Sequence, residues 1–138
     1  MNLYNPFRND ILSKELIEKS INFLFLEFYD PPTKINFEGT KFWKNSKGEF
    51  HRDNDLPAVI YKNGSKYWYQ NGKRHRLNGP AVIYENGSKY WYQNGKYHRE
   101  NGPAVIYKSG NKYWFVDGSQ YSEESWKREI AKRRSQAT

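Results

Sequence analysis

Cysteine is absent from the 138 residues of this chain, which excludes disulfides, thiolate nucleophiles and Cys-ligated zinc. Hydrophobic residues are scarce, at 36% against roughly 45–50% in an average globular chain. No unbroken apolar run exceeds four residues, Phe23 to Leu26 being one, and the polar N-terminus MNLYNPFRND lacks an apolar h-region. Neither a membrane span nor a secretory signal is expected, and the expected location is cytoplasmic. Gly (10) and Pro (6) are near average usage, so low complexity does not explain the low hydrophobicity.

Aromatic rings and positive charge are abundant instead. Trp (5), Tyr (12) and Phe (8) make 18% of the chain, so the core must be built from rings, and the formal net charge is +8. That charge favours polyanions or acidic protein surfaces as partners. The length fits one small domain or a core with appendages.

Self-similarity organises the middle of the chain. Pro57-Ala58-Val59-Ile60-Tyr61 recurs at Pro80 to Tyr84 and Pro103 to Tyr107, a spacing of 23 residues that Trp68, Trp91 and Trp114 share. A degenerate earlier unit aligns through Gly39, Phe42, Trp43, Gly48 and His51-Arg52, so repeats cover about residues 37–121. Within a unit, Ala81 to Tyr84 is β-branched and aromatic, and Asn86-Gly87 is the preferred sequence of a two-residue type I′ turn. Ser88 to Gln93 forms the return strand, and a second turn at Asn94-Gly95 leads into Lys96 to Arg99. If both turns have two-residue loops, Val59 faces Trp68, which faces His75, and Ile60 faces Tyr67, which faces Arg76. One face then carries Val59, Tyr61, Trp68 and His75; the other carries Ala58, Ile60, Tyr67, Tyr69 and Arg76.

The flanks are helical in pattern. Apolar residues at 17, 21, 24 and 28 make one stripe of a helix spanning Asn9 to Asp30, ended by Pro31-Pro32. Ser122 is a helix N-cap followed by acids, with Tyr121 and Trp126 placed as a hydrophobic staple. The expected architecture is mainly β (α+β): an antiparallel repeat β-sheet of stacked hairpins (37–121), an N-terminal helical cap (1–36) and a C-terminal basic helix (122–138). The first helix, or a sheet edge, also offers a dimerising surface.

Of the net charge, +7 falls within residues 37–121. Tyr67, Tyr69, Tyr90, Tyr92 and Tyr97 beside Arg74, Arg76 and Arg99 have the composition of a single-stranded nucleic-acid platform. The same residues can instead cover one another by cation–π contact and close a packed layer. Lys127, Arg128, Lys132, Arg133 and Arg134 form an accessory basic cluster for phosphates or lipid heads, or simply complement the helix dipole. His51, His75 and His98 share one repeat position, about 14 Å apart across three strands, too far for one shared metal, so packed, hydrogen-bonded roles are expected. Asp53 and Asp55 read as turn formers. No nucleophile–base constellation or phosphate-binding loop is present, so the reading is non-enzymatic, without metal or cofactor.

The unit Trp91-Tyr92-x-Asn94-Gly95-x-x-His98-Arg99-x-x-Gly102-Pro103-Ala104-Val105-Ile106-Tyr107 resembles the MORN repeat, a 23-residue β-hairpin unit rich in Gly, Tyr and Trp. It is more closely similar to the His-Arg-x-x-Gly-Pro-Ala variant in uncharacterised phage and giant-virus proteins, and more distantly to MORN-type antitoxin proteins. Pro103 stands where the usual motif continues as a Gly-rich strand, and the last unit has Tyr121-Ser122 in place of His-Arg. The resemblance implies a non-enzymatic scaffold that binds proteins or membrane lipids. Lys, Asn, Tyr and Ile make up 49 residues, a composition that fits an AT-rich genome and hence a phage or viral source. The expected function is binding of another macromolecule, a protein first, through the aromatic and basic repeat surface, with single-stranded nucleic acid and a membrane surface as the alternatives. For a viral protein the site of action is the host cytoplasm.

Overall fold

The computed structural model describes Lys14, Leu16–Lys19 and residues 30–137. The chain divides into two compact units, Met1–Pro32 and Thr33–Thr138. In the first, Lys14 and Leu16–Lys19 are helical, with Leu16 and Ile17 exposed. The rest of the helix expected from Asn9 to Asp30, and any dimerising role for it, lies outside the described residues.

The second unit is mainly β. A nine-stranded antiparallel sheet has the order β1 (Lys34–Ile35), β2 (Lys41–Phe42), β3 (Val59–Ile60), β4 (Lys66–Tyr67), β7 (Val82–Ile83), β8 (Lys89–Tyr90), β11 (Val105–Ile106), β12 (Lys112–Val116) and β13 (Ser119–Tyr121). Two further hairpins, β5 (Tyr69–Gln70) with β6 (Lys73–Arg74) and β9 (Tyr92–Gln93) with β10 (Lys96–Tyr97), branch from it. Each return strand bends at its Trp: Trp68 donates its N–H to Ala81 C=O of the next unit (2.7 Å) and accepts from His75 N–H (3.2 Å). The last unit has no His-Arg pair, and β12 runs through five residues to pair with both β11 and β13.

The two Asn-Gly turns of a unit differ in conformation, which corrects the expected register. At the second turn Tyr69 pairs with Arg74 and Gln70 with Lys73, leaving the two-residue loop Asn71-Gly72 with φ of 48° and 79°, a type I′ turn as read from the sequence. At the first, Val59 pairs with Tyr67 and Ile60 with Lys66, so the loop has three residues, Lys62-Asn63-Gly64, and only Gly64 (φ 95°) is left-handed. Tyr61 N–H donates to Ser65 C=O and Gly64 N–H to Tyr61 C=O, the pattern of a type I turn closed by a glycine bulge. Asn63 Oδ1 accepts from Ser65 N–H (2.9 Å), and Ser65, buried, accepts through Oγ from Glu85 N–H of the next unit (3.0 Å). The amides of the type I′ turn are held from the preceding unit, Asn71 N–H by His51 Nδ1 (3.1 Å) and Gly72 N–H by Phe50 C=O (2.9 Å).

The one-residue shift redistributes the faces. Directly paired residues run across the sheet as Phe42, Val59, Tyr67, Val82, Tyr90, Val105 and Tyr113 on one face, and as Ile35, Lys41, Ile60, Lys66, Ile83, Lys89, Ile106 and Lys112 on the other. Val59 thus shares a face with Tyr67 rather than standing opposite Trp68, and Ile60 shares one with Lys66. Val59, Val82 and Val105 are buried within the tyrosine row, each burial stabilising by roughly 1.5–3 kcal/mol.

The C-terminal helix, Glu123–Gln136, packs on β12 and β13. Ser122 caps it, its side chain accepting from Ser125 N–H, and Ile130 is its buried residue.

Replacing Asn94 (φ 51°) by Ala is expected to cost about 1–2 kcal/mol from forcing a β-carbon into the left-handed region. Asn86→Ala loses only the acceptor for Ser88 N–H, about 0.5–1.5 kcal/mol, and Gly rescues position 94 but not 86. Denaturant midpoints of the four variants check this; rescue by Gly at 86 rather than 94 contradicts the two turn assignments.

Candidate functional site

The tyrosine face carries two parallel files of rings. In the first, Tyr61, Tyr67, Tyr84, Tyr90, Tyr107 and Tyr113 meet edge to face in sequence, with centroids 5.2–5.9 Å apart and interplanar angles of 61–82°. These geometries contribute about 0.5–1.5 kcal/mol per pair beyond area burial. In the second, Phe50 meets Tyr69 at 5.2 Å, Tyr92 meets Tyr97 at 4.3 Å and Tyr97 meets Phe115 at 5.0 Å. Arg74 fills the gap in that file: Nε donates to Tyr69 Oη and Nη1 to Tyr92 Oη, both at 3.3 Å, with the guanidinium 5.4 Å from the Tyr67 and Tyr92 ring centres. Six of the eight residues singled out in the sequence, Tyr67, Tyr69, Arg74, Tyr90, Tyr92 and Tyr97, therefore gather on one surface.

Arg76 and Arg99 do not join them. They lie over the indoles of their own units, Arg76 Cζ 3.9 Å from the Trp68 ring centre and Arg99 Cζ 3.9 Å from that of Trp91; in the first unit Arg52 Cζ sits 3.7 Å from that of Trp43. The type I′ turn returns the chain beside the Trp, and the following loop folds back so that Nη1 of each Arg donates to the carbonyl of its Pro: Pro57 (3.2 Å), Pro80 (3.2 Å) and Pro103 (3.0 Å). This gives each letter of His-Arg-x-x-Gly-Pro-Ala a physical role. The His accepts the amide of the next unit's turn: His51 from Asn71, His75 from Asn94 and His98 from Asp117. The Gly leaves room for the guanidinium, since a β-carbon on Gly102 would stand 2.9 Å from Arg99 Cζ and one on Gly79 3.2 Å from Arg76 Nη1. The Pro supplies the acceptor. The Ala, fully buried at positions 58, 81 and 104, lets the strand pass under the Trp and takes its N–H.

Asp55 does more than form a turn. Its carboxylate grips Arg76 at two points (Oδ1 2.8 Å from Nε, Oδ2 3.1 Å from Nη2), and its backbone carbonyl accepts from Trp68 Nε1–H at 2.9 Å. Nothing in the local sequence marks this role; the signal is that the loop Asp53 to Leu56 is one residue longer than Leu77 to Gly79.

The C-terminal basic residues differ in their contacts, two of them being paired with carboxylates. Arg133 is bound between Asp117 (2.8 Å) and Glu129 (2.8 Å), Lys127 pairs with Glu123 (3.5 Å), Arg128 donates to Ser125 (3.1 Å), and Arg134 donates to Glu100 C=O (3.3 Å). Lys132 is exposed. Arg133 holds the Asp117 carboxyl below the usual carboxylate range. Trp126 Nε1–H donates to Arg99 C=O (3.0 Å), fastening the helix to the third His-Arg loop.

Comparison with family models, with curated proteins and with solved structures finds no match to this chain.

Burial first, and then the neighbouring Tyr107, pushes the Tyr90 phenol up to about 12; burial and the hydrogen bond with Tyr92 do the same for Tyr97. A phenol raised from an ordinary value near 10 stabilises the fold fully below pH 10, and that contribution is lost as pH rises through about 12. Tyrosinate absorbance followed with circular dichroism is expected to show a late-ionising class that titrates as the β signal collapses. All 12 tyrosines titrating together near pH 10 in a folded chain contradicts the ladder.

Proposed function

We propose that this chain is a non-enzymatic, MORN-like interaction module that binds another protein through its aromatic and basic repeat surface, in the role of a phage or viral accessory protein acting on a host factor. The observation that carries the reading is the tyrosine ladder, along which Tyr61, Tyr84, Tyr107 and Tyr113 remain 36–41% exposed, with the half-buried Tyr67 and Tyr90 between them. Tyr and Arg anchors of this kind dominate protein interface energetics because they bring large area at little entropic cost. The edge-to-face packing disfavours the nucleic-acid alternative on this face, since a stacking platform needs open ring faces for the bases.

The opposite face favours a second reading. Lys66, Lys89 and Lys112 are exposed and stand on alternate strands, about 9.6 Å apart, with Ile between them. An anionic polymer or an acidic lipid surface is the chemistry such a row would meet. No helix among the described residues is long and apolar enough to cross a membrane.

A photo-crosslinking residue placed at Tyr84 is expected to capture a protein in host cells, with capture lost when Tyr61 and Tyr107 are changed to Ala. Titration with single-stranded oligonucleotide and with anionic vesicles, at low and high salt, tests the second reading. Salt-sensitive binding abolished by Lys66, Lys89 and Lys112→Glu, together with no capture at Tyr84, overturns the protein-binding proposal.

A further inference from the structure

The loop edge of the sheet carries one Arg–Trp site that the chain's own Asp55 fills and one copy that no loop carboxylate reaches. In the second unit, the two outward donors of the Arg–Trp stack, Trp68 Nε1–H and the Nε/Nη2 edge of Arg76, are all taken by Asp55, reaching over from the loop of the first unit. Trp68 is covered as a result, at 6% exposure.

The third unit builds the same stack from Trp91 and Arg99, but the loop that should reach over it, Leu77-Asn78-Gly79, is one residue shorter and has no carboxylate. A cleft of about 570 Å³ stands there, lined by Asn78, Gly79, Trp91, Arg99 and Arg134 among others. Among the described residues, Trp91 Nε1–H meets no acceptor, and Trp91 is only half-buried. Arg99 donates through Nη1 to Pro103 and through Nε to the exposed, neutral Asn101 Oδ1 (3.0 Å); among the described residues Nη2 has no acceptor. Burial moreover lowers the proton affinity of Arg99, as expected for a guanidinium without a neutralising carboxylate. Arg76, Arg134 and His98 also line the cleft, with Glu100 the one carboxylate among its described lining residues, 3.7 Å from His98 Nε2.

We propose that this cleft binds an aspartate presented by a peptide segment of a partner protein, held as Asp55 is held one unit earlier. The side-chain carboxylate takes the Arg99 fork, displacing Asn101, and the aspartate's own backbone carbonyl takes Trp91 Nε1–H. A single residue offering a carbonyl and a carboxylate at that separation is the ligand this chain already shows for the site. Arg134, on the C-terminal helix, adds a second positive charge at the mouth. The proposal rests on the protein-binding reading and supplies the chemistry of the partner.

The probe is the chain's own loop as a blocked peptide, Asp-Asn-Asp-Leu-Pro-Ala, copied from residues 53–58. It is titrated into the isotope-labelled full chain, and the tryptophan indole N–H signals are followed, Trp91 being assigned by Trp91→Phe. The expected result is a saturable shift at Trp91 with Trp68 unmoved, at least tenfold weaker binding when the second Asp of the peptide is Asn, and loss of binding in Arg99→Gln. The Asn peptide leaves the protein untouched, so the comparison holds even where Arg99→Gln fails to fold. Equal binding of the two peptides, or no shift at Trp91, overturns the proposal, as does tighter binding of inorganic phosphate or oligonucleotide than of the Asp peptide. Failure here with protein capture at Tyr84 intact removes this site and leaves the broader reading standing.

Discussion

One contact organises the repeat: a guanidinium lying 3.7–3.9 Å above an indole, once in each of the three units that carry His-Arg. A planar cation on a planar ring is attractive by roughly 0.5–2 kcal/mol, but it brings into the fold a charge whose N–H groups need acceptors in the protein or in solvent. That requirement sets the rest of the loop. The chain must fold back so that a carbonyl meets Nη1, which Pro57, Pro80 and Pro103 provide, and in the second and third units, whose loops are one residue shorter than the first, Gly79 and Gly102 leave room for the guanidinium. The units are then sewn together by the neighbouring His, whose Nδ1 accepts an amide from the next turn. A chain poor in aliphatic residues thus obtains a regular interior by stacking rings and cations in every unit.

Much of this was legible in the sequence, and the failures have identifiable causes. The 23-residue period, the mainly β architecture, the second turn and the Ser122 cap follow from local chemistry, because Asn-Gly in a type I′ turn and Ser before two acids are decided within a few residues. The first turn was misread because the same dipeptide serves two conformations, and what separates them is not in the dipeptide. Ser65 after Gly64 is pulled inward to meet Glu85 of the next unit, whereas Asn71 and Gly72 are held by His51 and Phe50 of the preceding one. Arg76 and Arg99 are misplaced for another reason: the second turn has the expected register, but strand pairing stops at Arg74 and Tyr97, and the loop beyond folds back to lay each Arg on its own Trp. Strands are shorter than expected in the units that carry His-Arg because the return strand breaks at its Trp, whose backbone N–H bonds to the Ala of the next unit.

The functional residues divide along the same line between local and non-local information. The tyrosines could be grouped from periodicity alone, because the same packing requirement recurs in every unit. Asp55 could not, because its partners Trp68 and Arg76 stand 13 and 21 residues further along. Departures from periodicity are where specific chemistry resides in a repeat protein, and here the departure is a single residue of loop length that fills one Arg–Trp site and leaves the next one open.

The central claim, that the Arg–Trp stack holds each unit together, is tested most directly by a double-mutant cycle on Arg76 and Trp68, using Arg76→Met and Trp68→Leu singly and together in denaturant unfolding. The account predicts a coupling energy of about 1–2 kcal/mol between the two positions. Single-mutant effects that add to within about 0.5 kcal/mol would show that the stack is a bystander of the packing and contradict it.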